Sequence, residues 1–266
     1  INAVSASKTT GTLEFPPGVY RITSELSIPN FNNICLEASG SFGDAISAPR
    51  TSAVTILYDG AVAPNGAVCR SIGTGNQSRV TGLAFDAGLK AGFGFVIEGI
   101  TGSTLHNAWQ FYTCQFAAAT KVNVMIGTFP GIIDVDSYQV NFWECIFDKS
   151  PIGLYANASN NYGPLIERCY FADSFQSGSP GYTINHIRTK QSGDFRIYNT
   201  FFSRLAPAAT VIDPETGLVV ADSDIFAVYL QGAGTVSDCF FEEPRVLKHI
   251  GIGSQLPACL LANINV

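Results

Sequence analysis

Gln110-Phe-Tyr-Thr-Cys-Gln-Phe116, Asn141-Phe-Trp-Glu-Cys-Ile-Phe147 and Leu165-Ile-Glu-Arg-Cys-Tyr-Phe171 are three copies of one seven-residue pattern. Three more flank them: Arg79-Val-Thr-Gly-Leu-Ala-Phe85 on one side, Arg196-Ile-Tyr-Asn-Thr-Phe-Phe202 and Thr235-Val-Ser-Asp-Cys-Phe-Phe241 on the other. Every copy ends in Phe, and successive Phe residues stand 31, 31, 24, 31 and 39 residues apart. Self-similarity at a period of about 20 to 50 residues marks a solenoid, in which one unit cannot bury its apolar face without its neighbours. Unequal steps fit strands that hold register while the loops between them vary.

Within the pattern, position two is always apolar (Val80, Phe111, Phe142, Ile166, Ile197, Val236). Position five is Leu83, Cys114, Cys145, Cys169, Thr200 or Cys239. An unbroken strand alternates its side chains with period two and would set positions two and five on opposite faces. A bend at position four resolves the conflict. That slot holds Gly82, Thr113, Glu144, Arg168, Asn199 and Asp238, several of them tolerant of turns. Each block therefore reads as strand, corner, strand. A further short apolar segment recurs between blocks, at 94–100, 122–127, 152–157, 182–187 and 225–230. The expected fold is all-β: a single-stranded right-handed parallel β-helix with about three strands per coil. Its core is a ladder of Phe rings stacked at about 4.8 Å.

The other residue types narrow the function classes. Charged residues make up 14% of the chain and hydrophobic ones 46%, so a large core is available and disorder is excluded. The net charge of -6 without a Lys/Arg cluster argues against nucleic acid and anionic membrane as partners. The longest apolar runs fall short of the roughly 20 residues of a membrane helix. The N-terminus has no basic start followed by a long apolar run, so a signal peptide is expected to be absent or already removed. Seven cysteines cannot all pair, and no Cys-x-x-Cys spacing occurs. The position-five cysteines read as small buried apolar residues. His106, His186 and His249 lack ligand spacing and read as structural. No nucleophile elbow, phosphate loop or dinucleotide fingerprint is present.

Gly11-Thr-Leu-Glu-Phe-Pro-Pro-Gly-Val-Tyr-Arg-Ile-Thr23 resembles the strand pair that opens the helix in the pectate-lyase-like β-helix superfamily. The resemblance implies that residues 1–10 are the remnant of an N-terminal capping helix and linker. Residues 11–266 would then be parallel β-helix, a fragment of a longer chain. Within that superfamily the small-residue-rich coils and the absence of disulfides are most similar to phage tailspike and capsule-depolymerase domains. Such domains are homotrimers, extracellular or virion-associated, that bind and cut bacterial surface polysaccharide. The calcium-binding and Arg-centred motifs of plant-type pectinases are not found intact.

Positions one and three point outward if two, five and seven point in. Tyr112, Trp143, Glu167 and Tyr198 then form one column, with Arg196 beside it. A row of aromatics interrupted by a carboxylate suits a glycan, whose apolar faces stack on rings while its hydroxyls meet polar groups. The alternative is that these rings cover the sheet beneath a loop or a neighbouring subunit. Glu167 and Glu144 lie on adjacent coils, within reach of the roughly 5 to 5.5 Å separation of a retaining glycosidase. Arg168 also sits above Glu144, which makes an ion pair the competing reading. Asp134 and Asp136 form a rival pair about 6.6 Å apart along one strand face. That spacing suits an inverting hydrolase or a calcium ion, or else a solvated face. No other cofactor is implied. The expected activity is polysaccharide binding and degradation, by hydrolysis rather than by a lyase reaction. A non-catalytic structural or glycan-binding module is the principal alternative. A sugar epimerase or lyase using Arg196 and Tyr198 is the third.

Overall fold

In the computed structural model the described residues are 11–29, 34–39, 53–72, 77–98, 108–129, 136–157, 160–162, 164–172, 183–190, 192–203, 205, 211–220, 225–242, 250–252 and 259–262. Three parallel sheets run the length of the molecule. The first stacks Gly11–Phe15, Ile34–Ala38, Ser78–Thr81, Trp109–Tyr112, Asn141–Trp143, Leu165–Glu167, Ser192–Tyr198, Gly232–Ser237 and Cys259–Ala262 in chain order. The second takes the strand after each corner, among them Leu83–Asp86, Gln115–Ala117, Ile146–Asp148, Tyr170–Phe171, Phe201–Phe202 and Phe240–Phe241. The third includes Ala63–Ile72, Ala91–Glu98, Val122–Gly127, Ile152–Asn157, Asn185–Lys190, Val228–Leu230 and Ile250–Ile252. A small fourth sheet pairs Asp136–Tyr138 with Asn160–Tyr162. The chain is a parallel β-helix with three strands per coil.

The seven-residue blocks align in register as their sequence predicts. Phe111 pairs with Val80 and Phe142, and Phe116 with Phe85 and Phe147. The terminal Phe residues form an unbroken buried ladder. Its centroid spacings are 5.6, 5.3, 4.3, 5.1 and 4.7 Å from Phe85 to Phe241, with the rings within 27° of parallel. Position two is buried in all six blocks, and so is position five.

The corner at position four has a uniform backbone. Gly82, Thr113, Glu144, Arg168, Asn199 and Asp238 all have φ between 48° and 75°, the left-handed region. Each corner N–H can then bond to the next coil. Gly82 donates to the Tyr112 carbonyl at 3.0 Å, Thr113 to Trp143 at 2.9 Å, Glu144 to Glu167 at 3.0 Å and Arg168 to Tyr198 at 3.2 Å. Immediately inside, the Cys114, Cys145 and Cys239 thiols lie 3.3 to 3.4 Å from carbonyls of their own corners, and Thr200 Oγ1 takes the same place at 2.9 Å. The six described cysteines are free. Burial holds the Cys145 thiol well above its ordinary pKa and pushes that of Cys239 up to about 11, so neither is a nucleophile.

The third sheet departs from the expected segments at three places. Its strands at 122–127 and 152–157 fall where the apolar runs place them, but its neighbours are Ala91–Glu98, Asn185–Lys190 and Val228–Leu230. Arg188, Thr189 and Lys190 look like a polar end to the 182–187 run. In the fold Thr189 is buried, and Arg188 is buried on the outer face by ion pairs. This sheet is covered on both sides. Phe93, Val96, Val122, Met125, Ile152, Tyr155 and Ile184 form a second cluster, against which Phe129, Val211 and Val220 pack. Near-continuous apolar runs such as Val122–Gly127 are the expected sequence of a strand buried on both faces. At Gly153 an added Cβ would stand 2.6 Å from the His186 carbonyl oxygen, which requires glycine there. Among the described residues no helix is long and apolar enough to cross a membrane.

Candidate functional site

The outer face of the first sheet carries the predicted strip. Register aligns Glu14, Glu37, Thr81, Tyr112, Trp143, Glu167, Tyr198 and Ser237 in one column. Tyr112, Trp143, Glu167 and Tyr198 are all half-buried. Tyr112 and Trp143 stack face to face, with centroids 4.5 Å apart and planes 5° off parallel, and the Tyr112 hydroxyl donates to Gln110 Oε1 at 3.1 Å. Each therefore covers one face of the other. The second face of Trp143 looks toward the Glu167 rung, and the next ring in the column, Tyr198, lies two rungs away, roughly 9.6 Å by strand spacing. Glu167 replaces the ring that would have filled the interval. Arg196 is exposed, two residues before Tyr198 and across from Leu165 on the Glu167 strand.

Glu144 does not share this column. It sits at the corner and reaches Arg168 of the next coil, Oε1 to Nη2 at 3.3 Å, with both side chains well exposed. The ion pair between neighbouring corners is thus present. The left-handed corner sends the position-four side chains along their own column, where Arg168 is the adjacent rung. Asp134 lies outside the described residues. Asp136 opens the strand Asp136–Tyr138, but its side chain also lies outside them, so the rival acid pair cannot be placed. His106 and His249 lie outside as well. His186 is buried between Phe171 and Phe202, its Nε2 at 2.8 Å from the Ser203 carbonyl, and is structural. Among the described residues no group of three His, Cys, Asp or Glu side chains is placed to hold a metal ion.

A second constellation, absent from the sequence reading, lies on the outer face of the third sheet. Residues 211–220 form a turn closed by the Ile212–Val219 bridge and by Gly217 N–H donating to Asp213. Val211 and Val220 pack on the sheet, and the turn delivers Asp213 and Glu215 to Arg188. Arg188 Nη1 lies 2.9 Å from Asp213 Oδ2 and 3.0 Å from Glu215 Oε2, while Nε donates to Asn185 Oδ1 at 2.8 Å. Lys190 Nζ and the Tyr155 hydroxyl also bind Glu215 Oε1, at 2.5 and 2.9 Å. Burial and the Glu215 charge push the Tyr155 pKa far up, so the phenol remains a donor. Beside this knot opens a cleft of about 210 Å³. The one signal in the sequence is the 39-residue step between Phe202 and Phe241, the longest of the five, which has room for an insertion that the coil itself does not need.

Comparison with known proteins finds no family model that matches the chain and no curated protein that matches it. The class defined by the fold is the parallel β-helix.

Proposed function

We propose that this β-helix binds polysaccharide along the outer face of its first sheet and degrades it, with Glu167 as the acid at the reacting centre. The observation that carries the reading is the interval in the aromatic column: Trp143 and Tyr198 flank a rung occupied by a carboxylate. Stacked carbon atoms need about 3.5 to 4.0 Å on each side. An interval of roughly 9.6 Å between two rings therefore admits one saccharide ring, with Glu167 beneath it and Arg196 at its edge. Tyr112 backs Trp143 and holds its plane across the axis. Hydrolysis needs a second carboxyl or a bound water opposite the first. Asp134 and Asp136 are the reserve candidates for that part, with calcium as their other possible ligand. An extracellular or virion-associated homotrimer belongs to the same proposal, and the resemblance of residues 11–23 supports it.

A second reading, a non-catalytic glycan-binding or spacer module, draws support from the Glu144–Arg168 ion pair, which takes one acid out of the chemistry. Reducing-end release and the ultraviolet absorbance of unsaturated products, measured over a panel of bacterial capsular and O-antigen polysaccharides, separate the two. Glu167→Gln should abolish cleavage while retaining binding, and Tyr198→Ala should weaken binding. Cleavage lost in Asp136→Asn but kept in Glu167→Gln moves the chemistry to the other acid pair. An ultraviolet gain makes the enzyme a lyase. Binding without cleavage by the unmodified chain establishes the non-catalytic module.

A further inference from the structure

The cleft on the third sheet lies on a different face of the coil from the strip, and its argument does not rest on the function proposed for the strip. Three of its four charged groups are almost entirely buried: the side chains of Arg188, Asp213 and Glu215 are 7%, 11% and 9% exposed, while Lys190 is half-buried. Two cations, Arg188 and Lys190, meet two anions, Asp213 and Glu215, so the cleft has no net charge to offer an ionic ligand. What it does offer is hydrogen-bonding capacity beside apolar surface. Asn185, Thr216 and Gln231 line it together with the rings of Phe226 and Tyr229, and Gln231 Nε2 donates to the Tyr229 hydroxyl at 3.2 Å. Carboxylates fixed by Arg and Lys are oriented acceptors for hydroxyl donors. A volume of about 210 Å³ falls below the roughly 300 to 1,000 Å³ of sites for drug-sized ligands, which limits the occupant to one small ring.

We infer that this cleft is a binding site for a single neutral sugar unit, held by hydroxyl contacts to Asp213, Glu215 and Gln231 and by apolar contact with Phe226 and Tyr229. The insertion at 211–220 builds the site by carrying both acceptors onto the outer face of the third sheet, beside Tyr155 and Arg188. A uronate is disfavoured, because its carboxylate would meet Asp213 and Glu215 while the nearby cations are already engaged.

Calorimetric titration of the whole chain with methyl glucoside, methyl galactoside, N-acetylglucosamine and glucuronate tests the inference. At least one neutral sugar should bind, and more tightly than glucuronate. Gln231→Leu, which removes a lining amide outside the ion-pair knot, should weaken that binding roughly five- to tenfold. Thr216→Val serves as a second lining variant should the first perturb folding. Tyr198→Ala, which should weaken binding at the strip, should leave this affinity unchanged, which separates this site from the strip. Absence of binding by every neutral sugar, preference for glucuronate, or loss of binding in Tyr198→Ala with none in Gln231→Leu or Thr216→Val would each overturn it.

Discussion

His186 is a titratable ring placed where only a neutral one fits. It turns into the coil between the Phe171 and Phe202 rings, with centroids 5.9 and 5.8 Å away, and its ring nitrogen Nε2 meets the Ser203 carbonyl. That contact requires a proton on Nε2, which the neutral ring supplies. Burial lowers its pKa from the usual 6.5 to about 4, with the Ser203 hydrogen bond opposing the shift in part. Between those values the unfolded chain binds a proton that the folded chain refuses. The stability that a neutral His186 contributes is therefore fully present above pH 6.5 and is lost as the pH drops toward 4, by about 3 kcal/mol over the window. Urea unfolding at a series of pH values should show this slope, and His186→Gln, which does not titrate, should flatten it. An unchanged slope in the variant would place the acid sensitivity elsewhere.

The strand-corner-strand unit was legible because two patterns collide in it: inward residues at two, five and seven cannot share one straight strand. The left-handed backbone at position four is the physical answer, and it explains why the slot accepts Gly, Asn and Asp. It does not explain Thr113, a β-branched residue at φ 51°, beyond a hydroxyl that donates to the Tyr112 carbonyl at 2.7 Å. Left-handed geometry costs an L-residue roughly 1 to 2 kcal/mol. Gly82→Val should therefore lower stability by about that amount, while Thr113→Asn should be neutral or stabilising. Chemical denaturation of the two variants reads out both, and equal losses would show that corner conformation is not what position four selects. Legibility ended at the insertions. Asp213 and Glu215 lie in an irregular turn whose placement depends on Arg188, 25 and 27 residues away, and no local period encodes that contact. Glu14 and Glu37 escaped notice in the strip for a related reason: Glu14 pairs with Glu37 and Glu37 with Thr81, but their coils lack the closing Phe.

At the scale of the whole molecule, each strand pairs only with the rungs above and below it, so stability is largely a sum of coil terms and neighbour interfaces. The same ring then has very different weight at two addresses. Phe147 is 1% exposed, packed between Phe116 at 5.3 Å and Phe171 at 4.3 Å, whereas Phe240 is 44% exposed at the outside of the second sheet and stacks on Phe201 at 5.0 Å. Phe147→Ala should cost about 3 to 5 kcal/mol. Phe240→Ala should cost less than that, because nearly half of its surface is already in water and its removal leaves no enclosed cavity. The solenoid also dictates where the larger loss is felt. Amide hydrogen exchange in Phe147→Ala should rise in Gln115–Ala117, Ile146–Asp148 and Tyr170–Phe171, the three rungs that share the vacancy. It should decay along the axis, leaving Ile34–Ala38 and Val54–Tyr58 near their original protection. Uniform acceleration over every coil would mean that the helix opens as one cooperative body, and that the ladder couples its ends more strongly than nearest-neighbour packing permits.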